Sequence, residues 1–340
     1  MERRNFIKQT ALASGGFFIA KDMMAKDNAP IYGHGKKRYR MDNKWSQADP
    51  NINPVNDCHE MAQDSKGRIL LLTNETKNNV LIYNKSGKLL GSWGHDFPGA
   101  HGLTLTNENG TEYLFITDTA KHQVYKTTLD GKLLMTLDVP LETGVYKKAE
   151  EFTPTETAID VNGDIFIADG YGSQYITRFD RNGKLKNYFG GRGDGDEHLD
   201  NAHGIVIDRR STPSLLITDR TRNCFKRFSM DGRLLEVIKL PGACVCRPVI
   251  KGNYLYAAVL RSPDLGTADS GFVTILDKNN KVVSNLGGSE PTYKGGVLQP
   301  MRQSEKILLN PHDVCVDDDE NLYVAQWASG KVYPYKFTRV

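Results

Sequence analysis

One unit recurs along this chain at spacings of 44, 52 and 49 residues, measured between the turn glycines Gly87, Gly131, Gly183 and Gly232. A period in that range commits a sequence to an array of supersecondary units, whatever its composition. The unit is an apolar strand ending in a small or acidic residue, then a strand with aromatics, a tight turn and a further strand. Asn162-Gly163-Asp164-Ile165-Phe166-Ile167-Ala168-Asp169 leads to Tyr175-Ile176-Thr177-Arg178-Phe179 and the turn Asn182-Gly183-Lys184-Leu185. The same order returns as Leu215-Leu216-Ile217-Thr218-Asp219, then Cys224-Phe225-Lys226-Arg227-Phe228, then Asp231-Gly232-Arg233-Leu234. Each turn pairs Asn, Asp or Ser with a glycine that supplies the positive φ a tight hairpin needs.

A fifth, degenerate copy runs from Tyr254 to Asn279-Asn280-Lys281, where asparagines replace the glycine turn. A sixth begins at Asn321-Leu322-Tyr323-Val324-Ala325 and stops at the chain end without an outermost strand. Four-stranded units of this period close into a propeller, and a strand from the N-terminal side that completes the last blade removes two exposed edges. Residues around Arg38 to Trp45 are the candidate. The expected fold is all-β, a six-bladed β-propeller over residues 30–340, with no length left for a seventh blade or another domain.

The first 29 residues differ from the rest. Arg3-Arg4-Asn5-Phe6-Ile7-Lys8 precedes a weakly apolar, uncharged stretch from Gln9 to Ala20. That pattern resembles a twin-arginine export signal, and the stretch is too short to span a bilayer as a mature helix. Export to the periplasm or outside by the twin-arginine machinery is expected, with no transmembrane span in the mature protein, which is expected to be a monomer. The 44 Lys+Arg against 41 Asp+Glu contain no long single-sign run, which excludes the footprint of a nucleic-acid partner. Five cysteines form no scaffold spacing, so they read as mostly core.

Aligning the blades on the residue five before the first Asp of each unit superposes histidines. His59 precedes Asp64, His203 precedes Asp208 and His312 precedes Asp317; Thr155 precedes Asp160, and His101 precedes Thr106. Blade five places Cys246 or Arg247 there. Equivalent inner-strand residues ring the axis of a propeller, so His101, His203 and His312, from alternate blades two, four and six, converge in a trigonal set. Three imidazoles with a fourth position open are the pattern of a catalytic zinc. His59 is a further axis residue that could serve as an extra ligand, a supporting base or channel lining. His34, His95, His122 and His198 fall in loops or outer positions.

The strand pattern resembles the NHL-repeat family over nearly all of residues 50 to 340, and the site residues resemble those of its peptidylglycine amidating lyases. Those enzymes cleave peptidyl-α-hydroxyglycine to a peptide amide and glyoxylate. The resemblance makes His101 in His-Gly-Leu-Thr, His203 in Ala-His-Gly-Ile and His312 in Pro-His-Asp-Val the zinc ligands. It makes Tyr171 in Ala-Asp-Gly-Tyr and Arg220 after Thr218-Asp219 the catalytic tyrosine and arginine. It also implies a structural calcium held by Asp313 and the backbone carbonyl of Leu103. Zinc lowers the pKa of a substrate hydroxyl, a phenolate takes the proton and a guanidinium holds a carboxylate. The family's blade-one arginine has no counterpart beside His59 and Glu60, and its methionine two before the third histidine is Asn310 here. Arg247 or Arg261 could restore the missing charge. The expected function is a metal-dependent lyase acting on a small-molecule or peptide substrate that carries an α-hydroxy group and a carboxylate. Metal-dependent lactonase or esterase-like hydrolysis and a non-catalytic binding scaffold remain as alternatives.

Overall fold

Alternation along each strand explains the architecture. The second strand of blade one, Ile69–Thr73, is buried along its whole length because both of its faces are covered. Ile69 and Leu71 pack towards blade six with Trp45, Tyr323 and Ala325, whereas Leu70 and Leu72 pack towards blade two with Leu114 and Ile116. Blade three repeats the division: Phe166 and Ala168 join Leu215 and Ile217 of blade four, while Ile165 and Ile167 join Phe115 and Val124 of blade two. A strand that is apolar at odd and even positions alike can only lie between two neighbours. The result is an apolar layer at each of the six blade interfaces.

The computed structural model describes residues 29–340. The export segment expected around Arg3 and Arg4 lies outside the described residues. Residues Tyr32–Val340 form one unit made of six antiparallel sheets and a small added ribbon, Tyr293–Lys294 with Val297–Leu298. From blade one to blade five the inner strands are Cys58–Gln63, Ala100–Glu108, Glu156–Ile159, Ile205–Asp208 and Cys244–Lys251. Pro311–Val316 is the inner strand of blade six. That blade continues through Leu322–Gln326 and Tyr335–Arg339 to Lys37–Asp42, with Tyr39 opposite Arg339, and Ile31–His34 adds a fifth strand. Among the described residues no helix is long and apolar enough to cross a membrane.

One recurring acid shapes the loops. The Asp ending the second strand accepts loop amides: Asp118 from Gly99, Ala120 and Lys121, Asp169 from Thr153 and Ser173, and Asp219 from Asp200. These bonds satisfy backbone donors that the strands leave unpaired. The outer turns follow the expected chemistry, with φ of +95° at Gly232, while Asn280 takes φ +59° where blade five lacks the glycine. Asparagine tolerates that region better than other side chains do. All five cysteines are buried and unpaired.

Candidate functional site

The inner strands, or for Thr155 and His203 the residues just before them, bring His59, His101, Thr155, His203, Cys246 and His312 to the axis, and all six are buried. Ring centroids of His101 and His203 are 4.8 Å apart, of His101 and His312 4.8 Å, and of His203 and His312 4.7 Å. His59 belongs to the same cluster, 4.9 Å from His101 and 4.8 Å from His312. Ligand atoms of His59, His101 and His312 lie within 4.8 Å of one another, and so do those of His203, Cys246 and His312. The rings of the alternate-blade trio thus meet, but by ligand atoms His101 groups with His59 and His203 with Cys246, one of two residues at its register, with His312 in both sets.

Backbone carbonyls set the tautomers. His101 donates from Nδ1 to the Thr155 carbonyl at 2.8 Å, and His312 donates from Nδ1 to the His59 carbonyl at 3.1 Å. Each therefore presents the lone pair of Nε2 inwards, the arrangement that metal-bound histidines share. Nε2 of His312 faces Nε2 of His203 at 3.1 Å, and the buried Nδ1 atoms of His59 and His203 have no protein partner. Burial, helped by Arg220 and neighbouring imidazoles, holds the pKa values of His101, His203 and His312 well below the ordinary histidine range. Burial takes His59 down to about 4 against an opposing pull from Asp57. Neutral imidazoles with inward lone pairs and orphaned nitrogens fit a zinc ion.

Tyr171 and Arg220 come from the loops after the second strands of blades three and four. Asp169 ties the Tyr171 loop to the amides of Thr153 and Ser173 at 2.6 Å each, and Gln174 donates to the Gly170 carbonyl at 2.8 Å. The Tyr171 hydroxyl lies 3.1 Å from Nε2 of His101 and accepts from Nη2 of Arg220 at 3.1 Å. Tyr171 as a whole residue nevertheless keeps 42% of its surface exposed, so it stands between solvent and cluster. Burial of the hydroxyl raises its pKa and Arg220 opposes that rise. Arg220 is buried, reaches the Cys246 sulfur at 3.8 Å, and leaves its Nε without a protein partner. Burial pushes the Cys246 thiol up to about 11, again against Arg220.

A second tier lies one residue further along each strand, at Glu60, Gly102, Glu156, Gly204, Arg247 and Asp313. Its acids bridge blades: Asp313 accepts the Met61 amide at 2.9 Å, Glu60 accepts the Leu103 amide at 2.7 Å, and Glu156 accepts the Thr104 hydroxyl at 2.9 Å. Arg247 reaches across the axis. Its Nε and Nη2 donate to the two Asp313 oxygens at 3.1 and 2.8 Å, its Nη1 to the Leu103 carbonyl at 3.1 Å, and its Nη2 to the Met61 carbonyl at 3.0 Å. Glu60 and Glu156 lie 3.4 and 3.5 Å from the same guanidinium. The two groups expected to hold calcium, Asp313 and the Leu103 carbonyl, are therefore both engaged by an arginine. With Arg247 so placed, this tier does not fit a calcium ion. Burial pushes the Glu60 carboxyl well above the usual carboxylate range, with Arg247 opposing and Glu156 adding to the rise. Arg261, the other candidate for a missing charge, donates to Oδ1 of Asn310 at 3.2 Å and stays outside the histidine cluster.

A family model described as a 6-bladed beta-propeller matches residues 139–333. The chain is similar to the peptidyl-alpha-hydroxyglycine alpha-amidating lyase 1 of Drosophila melanogaster, with 37% identity over 109 residues, which cover 31% of this chain and 19% of that protein. The match thus spans about a fifth of that relative's length. A solved streptogramin B lyase superposes with a TM-score of 0.58 at 12% identity, covering 88% of this chain and 97% of that one. A gluconolactonase from Xanthomonas campestris superposes with a TM-score of 0.58 at 10% identity, covering 92% and 95%. At such identities these two likenesses speak to fold alone.

Proposed function

This chain belongs to the six-bladed β-propeller family, and we propose that it is a zinc-dependent lyase of that family, cleaving an α-hydroxy substrate that bears a carboxylate. A peptidyl-α-hydroxyglycine is the first candidate substrate. The observation that carries this reading is the Tyr171 hydroxyl, set 3.1 Å from His101 and 3.1 Å from Arg220 at the edge of a buried imidazole cluster. A zinc ion held by His101, His203 and His312 would supply Lewis acidity to the substrate hydroxyl.

The chain's own residues supply the rest. Arg220 has a buried, unpartnered Nε beside the nitrogen that holds Tyr171, which leaves a donor for a substrate carboxylate. The same guanidinium favours the tyrosinate, preparing that oxygen to take the hydroxyl proton. As the hydroxyl becomes a carbonyl, the bond from carbon to the amide nitrogen breaks. The nitrogen keeps the electron pair and takes up a proton, so glyoxylate and an amide leave without any oxidant.

The sequence similarity to an amidating lyase supports this choice within the fold. A hydrolase built on an oxygen-liganded cation would need the acidic tier, where Arg247 already sits. Elemental analysis of the purified full chain should find about one zinc per chain, lost when His101, His203 and His312 are each changed to Ala. The same protein should release glyoxylate from a hydroxyglycine peptide. Zinc without turnover would remove the substrate and keep the centre, whereas zinc-free protein that still turns over would remove the mechanism.

A further inference from the structure

We infer that Arg247 is a built-in axial cation that replaces a divalent ion on the second tier, and that it positions the inner strands carrying the histidines. The inference concerns a different tier from the proposed chemistry and stands or falls separately from it.

The donor count comes first. A guanidinium offers five N–H donors in a rigid fork and no acceptor. Here that fork meets both oxygens of Asp313 and the carbonyls of Leu103 and Met61, all within 2.8 to 3.1 Å. Calcium takes six to eight oxygens at roughly 2.3–2.6 Å, so the ion and this side chain need the same oxygens and the same space. Three carboxylates, Glu60, Glu156 and Asp313, surround the fork. Each is fully buried. Withdrawing the arginine would leave them without their shared cation, and an unpaired buried charge is strongly destabilising.

Backbone packing points the same way. A Cβ added at Gly204 would stand 2.5 Å from the Arg247 Cα, so the residue beside Arg247 at this level has no side chain to displace it. The inner strand of blade five shifts register between Cys244 and Val245 and again between Val245 and Pro248. Across this irregular stretch Cys246 meets the histidine tier and Arg247 the acidic one. Arg247 thereby ties blade five to Met61 of blade one, Leu103 of blade two, Glu156 of blade three and Asp313 of blade six. Met61, Leu103 and Asp313 lie one or two residues from His59, His101 and His312. Arg247 is thus a positioning residue that acts on the cluster through these neighbours.

The test is a calcium titration of the full chain, stripped of calcium beforehand and followed by thermal midpoint and equilibrium dialysis with radioactive calcium. The wild type should bind none and keep its midpoint in millimolar calcium. Arg247→Ala should start lower. It should then gain about one calcium per chain and recover roughly 5 °C or more with added calcium, because its three carboxylates and two carbonyls become an oxygen site. Adding Asp313→Asn to that variant should abolish the recovery. Arg247→Lys keeps the charge without the fork, and its midpoint should fall between the two and ignore calcium. A calcium equivalent bound by the wild type, with a rise in midpoint, would overturn the inference even if Arg247→Ala cannot be folded. An Arg247→Ala protein that folds with an unchanged midpoint would overturn it as well.

Discussion

The two axial tiers are built from adjacent residues of the same blade entries, yet one is neutral and the other gathers three carboxylates round a guanidinium. On the histidine tier the Nδ1 atoms of His59 and His203 have no protein partner, and Nε2 of His203 has only Nε2 of His312. One residue further, Arg247 gathers two carbonyls and the Asp313 carboxylate, with Glu60 and Glu156 close by. Glu60 Oε1 and Glu156 Oε2 also lack a hydrogen-bond partner, so the tiers differ in charge rather than in satisfaction: the acids share a guanidinium within 3.5 Å, whereas the imidazole nitrogens of His59 and His203 have no such group. Under the proposed function, the contrast would separate a tier for chemistry from a tier for stability within one channel.

Substitutions should therefore divide cleanly between turnover and stability. The largest expected effect is on the first tier: Tyr171→Phe should lower turnover by about 10²–10⁴-fold while zinc content and thermal midpoint stay at wild-type values. Retained turnover would remove the tyrosine from the mechanism. On the second tier Asp313→Ala should cost about 3–5 kcal/mol in denaturant unfolding, because it strips the bidentate partner from a largely buried guanidinium. An unchanged midpoint of denaturation would erase the distinction between tiers.

Smaller changes sharpen the comparison. Gly204→Ala pushes a methyl against the Arg247 backbone and should cost about 1–3 kcal/mol by overpacking, read from the same unfolding curve. A neutral outcome would mean that the second tier yields easily. The smallest effect concerns the loop carrying Tyr171. Burial lifts the Asp169 carboxyl from 3.8 to about 7, against the pull of the Thr153 and Ser173 amides. Folding raises this pKa, so the folded state holds the proton more tightly; its contribution to stability is full below about 3.8 and is lost as pH rises through about 7. Asp169→Asn should flatten the fall in thermal midpoint across that window, and an identical pH profile in the variant would assign the slope elsewhere.

Much of this was legible in advance because strands expose their plan in a period of two. The run Ile165-Phe166-Ile167-Ala168 leaves no solvent face, so blade interfaces followed from it. Alignment by register also ordered the histidines. The same alignment shifted by one residue puts Glu60, Glu156, Arg247 and Asp313 on one line. That signal was available, yet it does not say which charges meet, since acids at a common register could equally ligate an ion.

The chain order of apolar, turn and axial residues determined the blade number and the set of side chains that reach the axis, because periodicity is a local property. Which of those side chains touch was decided only by ring closure and by the irregular strand around Cys246 and Arg247. Distances across a channel depend on blade tilt and strand register summed around the whole circle. For that reason the place of His59 in the cluster, and the arginine standing among the expected calcium ligands, emerged only in three dimensions.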